Sequence, residues 1–336
     1  MKFAVIFFPD RPLTPGLLAL TLYFSASFVV PAADRGGPEI WFAPQDNLQR
    51  GANPPTNQDF PQLFDPSPAW SARADVFVVS PFMGSVAGPE DALHKIDAFL
   101  AGHHIALAVG IGAAQMDNVD RTPGECGFGV EGLNRPGRNA GSFKRLKQLG
   151  IDVQYVAMDE PLTFAHYYNK KNACQFSIQE TARRVAASIA EIRQYYPSVK
   201  VVDYEAPNIT SAQQWNADFA GWLAAYRQAV GAPLDAVVFD VDWRLPWQTW
   251  VSPSVTSAHR AGVRAGMFLT GTGPGAADAD AIAARKQNAL AVDRARLPLD
   301  LVIIANWTPH PSRNLPESSP DTLTSFLRWY EMGHGR

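Results

Sequence analysis

Six carboxylates stand in pairs near the ends of three successive apolar runs, and their crowding is the main chemical resource of the chain. Asp159 and Glu160 come at the end of IDVQYVAMDEP, Asp203 and Glu205 at the end of VKVVDYE, and Asp240 and Asp242 within DAVVFDVDW. Ionised acids are rarely buried without partners. Six of them therefore need either counter-charges, for which Arg244, Lys170 and Lys171 are nearby, or a task. Crowded carboxyls raise one another's pKa, so one can stay protonated near neutrality while its neighbour is ionised. Hydrolysis of a glycosidic bond needs that combination: one carboxyl protonates the leaving oxygen while a second activates water or attacks the anomeric carbon.

Within this set Glu160 is the expected acid, because a long side chain at a strand end held by Pro161 can reach a substrate. Glu205 is its expected partner, with Asp242 next in line. Asp159, Asp203 and Asp240 are expected to contact substrate. Period-two alternation puts Asp203 and Glu205 on one strand face and Asp240 and Asp242 on one face of theirs. Asp159 and Glu160 point oppositely unless the strand ends between them.

Aromatic and amide side chains follow the same runs. Trp243, Trp247 and Trp250 come after the sixth apolar run, Trp307 ends the eighth, and Tyr167 and Tyr168 follow the fourth. Flat rings suit the C–H faces of pyranoses, and their polar edges can hydrogen-bond. Trp243, Trp307 and Tyr167 are the expected platforms, and Gln45, Asn306 and Asn208 are the candidates for binding hydroxyls.

The elements that must position these residues read as a repeated strand, loop and helix. Apolar runs at residues 38–45, 74–80, 104–111, 151–161, 199–205, 235–243, 263–270 and 299–307 are the expected strands. Helical spacing follows most of them, most clearly after Ser177, where Ser177 and Glu180 form a capping box ahead of Ile178, Ala182, Val185, Ile189 and Ile192. Residues 67–73 could supply a short helix after the first strand. Eight such units with nearly continuous apolar strands predict a single-domain (β/α)8 TIM barrel over residues 34–336. An open doubly wound sheet is the competing topology, but the first strand is followed by PQDNLQ rather than a Gly-rich phosphate turn. On a barrel, the strand ends that carry the acids form one rim, where barrel enzymes keep their sites.

The stretch VAMDEP resembles the Asn-Glu-Pro signature of the large retaining clan of (β/α)8 glycoside hydrolases. The resemblance covers three residues and the eight-unit layout. It implies that Glu160 is the acid/base. Asp159 stands where the clan has Asn, and FLTGTGPG at the seventh strand's end lacks the clan's nucleophilic Glu, so the resemblance supplies no nucleophile and no specific family.

Composition narrows the remaining classes. The chain has 336 residues, 46% hydrophobic and 18% charged, with a net charge of −3. That suits a large core and gives no electrostatic footprint for nucleic acid. No HExxH or Cys/His zinc spacing occurs, and GTGPG lacks the Lys-Ser/Thr of a phosphate loop, so neither cofactor nor metal is expected. Residues 1–33 read as a secretory signal peptide: Lys2 and Arg11, then the apolar LLALTLYFSASFVV, then Val30-Pro31-Ala32-Ala33. An uncleaved N-terminal anchor is the alternative, and stable membrane insertion is expected only in that case. Export to the periplasm or the medium would let Cys126 and Cys174 form a disulfide bond.

The expected function is therefore a secreted glycosidase acting in polysaccharide or oligosaccharide degradation. A carboxylate-bound divalent-metal hydrolase and a non-catalytic carbohydrate-binding barrel are the alternatives. Sugar, linkage and oligomeric state are left open.

Overall fold

The computed structural model describes residues 37–46, 57–66, 69–118, 122–271 and 277–334. The expected leader, residues 47–56 of the Pro- and Asn-rich segment after the first strand, and most of the GTGPG turn lie outside the described residues.

Eight parallel strands close into a barrel in chain order: β1 (Glu39–Ala43), β2 (Val76–Val79), β3 (Ala106–Ile111), β4 (Tyr155–Asp159), β5 (Lys200–Glu205), β6 (Ala236–Phe239), β7 (Arg264–Phe268) and β8 (Leu301–Ala305), with β8 pairing β1. The expected TIM barrel is what forms. Each strand lies within its apolar run, because a strand covered on both faces needs apolar side chains at odd and even positions alike. The inward set includes Trp41, Val78, Tyr155, Val202, Val238 and Phe268. Trp41 and Tyr155 meet edge to face with ring centroids 4.8 Å apart. Filling the barrel with such residues stabilises it by about 2–3 kcal/mol for each large side chain buried.

Among the described residues seven long helices cover the outside: α1 (Glu90–His103), α2 (Arg138–Gln148), α3 (Ile178–Arg193), α4 (Ala212–Val230), α5 (Gln248–Arg260), α6 (Asp278–Ala295) and α7 (Leu323–Gly333). The short helix expected after β1 is replaced by two 3-10 turns, Phe60–Phe64 and Ala69–Ala72. Their aromatics Phe60, Phe64 and Trp70 pack against Phe77 of β2, so this connection covers the barrel with rings rather than a full helix. At the start of α3 the Ser177 hydroxyl accepts the Glu180 amide at 3.1 Å, as the capping box predicts. The Glu180 carboxylate turns instead to Arg183 and Arg184.

The two rims differ in charge. At the N-terminal rim Arg264 pairs with both Glu39 and Asp235, which joins β1, β6 and β7. The C-terminal rim gathers carboxylates instead.

Candidate active site at the C-terminal mouth

Strand parity decides which acids reach the mouth. Tyr155 faces inward on β4, so Asp159, four residues later, shares that direction, and Asp240 follows inward-facing Ala236 and Val238 of β6 in the same way. Asp203 and Glu205 do share one face, as alternation predicts, but it is the outer face. Inward positions on β5 belong to Val202 and Tyr204. Asp203 is fully buried against α4, where the Trp222 indole N–H donates to its Oδ2 at 2.7 Å.

Glu205 is also fully buried and lies under the turn that follows β4. Its Oε1 accepts the Leu162 amide at 2.7 Å. Its Oε2 accepts the Thr163 amide at 2.9 Å and the Thr163 hydroxyl at 2.8 Å. Asp242 stands past the strand end, held bidentately by exposed Arg244, and this pairing lowers its pKa. Asp159 and Asp240 thus reach the mouth with Glu160, Glu205 acts on Glu160 from beneath its turn, and Asp242 is turned to Arg244.

Glu160 itself adopts a left-handed backbone, with φ 49°. That conformation costs a residue bearing a Cβ about 1 kcal/mol or more, and such strain concentrates at functional sites. Pro161 and a π-helical turn, Leu162–Tyr167, follow directly. Burial pushes Glu160 up to about 10, with Asp240, Glu205, Asp159 and Glu131 adding repulsion. Asp159 rises to about 7 through burial and the charges of Glu131 and Asp240. Asp240 also rises to about 7, through burial and Glu131, although the Val241 amide opposes the shift.

Glu131 is an addition that the sequence reading missed. It lies in the Gly-rich loop between β3 and α2, and burial raises its own pKa. Its only sequence signal was its place in a long loop following a strand, where sites are often built. A disulfide between Cys126 and Cys174 joins this loop to the segment after β4, in agreement with the expectation. The Gly127 amide adds a 2.7 Å hydrogen bond to the Asn172 carbonyl.

Two cavities flank the acids. One of about 180 Å³ is lined by Gly112, Glu131, Gly132, Asn134 and Asp159. The other, about 320 Å³, is lined by Asn208, Asp240, Asp242, Trp243, Thr270 and Trp307, and its size suits a small-molecule group. Trp307 is 48% exposed and rests edge-on against Phe268 at 5.2 Å. The Trp243 indole donates to the Thr270 hydroxyl at 3.0 Å.

The other candidates for sugar contact are placed differently. Tyr167 donates its hydroxyl to Asp218 of α4 and packs on Trp215. Asn306 is buried, accepting from Arg285 and donating to the Pro311 carbonyl. Both side chains therefore brace the framework. Gln45, two residues past the end of β1, accepts from the Asn57 side-chain amide at 3.3 Å.

Among the described residues, no group of three or more His, Cys, Asp or Glu side chains is arranged to hold a metal ion. Asp203 and Glu205 face outward, Asp240 faces inward and Asp242 is turned to Arg244, so these four acids, the ones the metal-dependent alternative would use, are not gathered as one carboxylate set. No helix among the described residues is long and apolar enough to cross a membrane.

No family model and no curated protein matches this sequence. Among solved structures, a candidate alpha-L-fucosidase from Bacteroides thetaiotaomicron VPI-5482 is similar at 9% identity and a TM-score of 0.50, covering 89% of this chain and 96% of that chain. An endo-1,4-beta-xylanase from Caldicellulosiruptor owensensis is similar at 9% identity and a TM-score of 0.46, covering 82% and 89%. An HpcH/HpaI aldolase from Desulfitobacterium hafniense DCB-2 is similar at 12% identity and a TM-score of 0.39, covering 80% and 86%. The structural neighbours thus include glycoside hydrolases without pointing to one family, and at these identities the likeness establishes the barrel fold alone.

Proposed function

We propose that this chain is an exported glycoside hydrolase in which Glu160 is the proton donor and Asp240, with Asp159 beside it, supplies the second carboxylate. The observation that carries this reading is the meeting of Glu160, Asp159, Asp240 and Glu131 at one mouth, where each of the first three is influenced by other acids and, among the described residues, by no basic side chain. Glu160, raised to about 10, keeps its proton at neutral pH and can give it to a leaving oxygen. Asp159 and Asp240, both near 7, offer an ionised carboxylate in the same range to activate water or attack the sugar. Trp307 and Trp243, on the wall that Asp240 shares, are the platform for the sugar, with Asn208 and Thr270 in reach of its hydroxyls. The disulfide supports maturation in an oxidising compartment, in keeping with the expected leader.

The test is reducing-sugar release from a panel of polysaccharides and oligosaccharides, with Glu160→Gln and Asp240→Asn assayed beside the parent and a chelator control. The expected result is cleavage of at least one glycan, unaffected by chelator and reduced by roughly 10²–10⁴-fold in each variant. Glycan binding without cleavage would replace the proposal with a carbohydrate-binding barrel. Loss of activity with chelator would replace it with a metal-dependent hydrolase.

A further inference from the structure

We propose that Glu205 is the positioning residue of this site: its carboxylate grips the Leu162 and Thr163 amides and so fixes the turn that holds Glu160 beside Asp240. The proposal rests on the reading of Glu160 as proton donor.

Four observations carry it. Glu160 occupies a left-handed conformation that an L side chain rarely adopts, so neighbouring structure has to hold it there. Pro161 has no N–H, and the next two backbone donors, Leu162 and Thr163, both go to Glu205. The Thr163 hydroxyl adds a third bond to the same carboxylate, and the Ala206 amide donates back to that hydroxyl at 3.2 Å, tying the ends of β4 and β5 together. Glu205 is fully buried, and burial together with the neighbouring Asp203 raises its pKa, while these three donors pull it back toward the ionised form.

The same carboxylate also acts on Glu160 through its charge. The groups around Glu160 are Asp159 from its own strand, Glu131 from the loop after β3, Asp203 and Glu205 from β5 and Asp240 after β6, and all are acidic. In its ionised form Glu205 strengthens the hold of Glu160 on its proton, and Glu205→Gln removes that repulsion. A shorter carboxylate keeps the charge and loses the reach. Position and charge can thus be separated by experiment, and a role confined to stability would change neither kcat nor the pH profile of the folded enzyme.

The test measures kcat, KM and the pH dependence of kcat/KM, on whichever glycan the parent cleaves, for Glu205→Gln, Glu205→Asp, Thr163→Val and Thr163→Ser. Folding is checked by near-ultraviolet circular dichroism, and Glu160→Gln is assayed alongside. Glu205→Gln should lower kcat by at least about 10-fold with KM nearly constant, and move the basic limb of the profile to lower pH by about one unit. Glu205→Asp should lower kcat without moving that limb. Thr163→Val should lower kcat by a few fold, and Thr163→Ser should restore it, since one donor of three is lost and regained. Folded Glu205→Gln with the parent's kcat and pH profile overturns the proposal. If that variant does not fold, parental kcat in Thr163→Val overturns it instead. Full activity in Glu160→Gln is a different failure: it removes the proton-donor reading on which the proposal stands.

Discussion

Gly132 rests directly on the backbone of Asp159: a Cβ at position 132 would stand 2.5 Å from the Asp159 carbonyl oxygen and 3.3 Å from that of Glu160. Its φ of +71° is itself unfavourable for a residue with a side chain. Gly132 thus lets the Glu131 loop close over the turn that Glu205 holds from the other side. Gly132→Ala should destabilise the protein by about 1–3 kcal/mol and lower kcat by at least about 10-fold, because an ångström of misplacement at a reacting group is costly. Thermal melting and glycan turnover measured together check this. An unchanged kcat would show that the loop and the turn move independently.

The mouth acids predict a pH dependence of stability. Asp159 and Asp240 are raised from 3.8 to about 7, so between those values the folded protein holds protons that the unfolded chain has released. Their contribution to stability is complete below about pH 4 and is lost as pH rises through about 7. Acids with lowered pKa, among them Asp117, Glu180 and Asp278, act the opposite way, but their effect falls below about pH 4.5, while buried Asp203 and Glu205, also raised, reinforce the trend of the mouth from pH 5 to 8. The melting temperature should therefore fall from pH 5 to pH 8. Asp240→Asn should flatten that slope and stabilise the protein at pH 8 while lowering turnover by the roughly 10²–10⁴-fold expected for loss of a catalytic carboxylate, the trade expected where a site stores repulsion. A melting temperature that rises across this window would contradict the arrangement.

The barrel was legible because a parallel strand covered on both faces must be apolar throughout, which marked all eight runs. The same property hid which face was inside. Val201, Val202 and Asp203 read alike from either side, so alternation could pair Asp203 with Glu205 but could not say that Trp222 and the Thr163 turn, rather than the barrel mouth, would receive them. For Asp242, alternation had no authority, since β6 ends at Phe239 and Asp242 follows its own turn to Arg244. Glu131 carried no periodic signal, and only the folded Gly-rich loop brings it to Asp159. Asn306 read as a hydroxyl binder because its residue type suits that task. Its neighbour in space, buried Arg285, is twenty-one residues away in sequence and takes its carbonyl.

The disulfide should couple stability to activity. Cys126 and Cys174 are separated by 48 positions, and closing a loop of that length restricts the unfolded chain by up to about 4 kcal/mol. Replacing both with Ser should cost about 2–4 kcal/mol in denaturant unfolding. It should also lower kcat by several fold under conditions where the protein remains folded, because the loop carrying Glu131 loses its tie to the segment after Glu160. Activity unaffected at full folding would confine the bridge to stability.

Trp307 offers the sharpest test of the sugar platform, because it is a large ring left 48% exposed beside Asp240 and braced by Phe268. A stacking surface grips substrate and transition state to similar extents, and interactions of that kind appear in KM rather than kcat. Trp307→Ala should raise KM by roughly 10-fold or more, with kcat within a few fold of the parent, and Trp307→Phe should recover part of the loss because a flat apolar face remains. A fall in kcat at constant KM would assign the ring to shaping the acid cluster through Phe268 and Tyr204, whose rings meet edge to face at 4.7 Å. Unchanged kinetics would place the sugar on the other cavity, over Glu131 and Gly132.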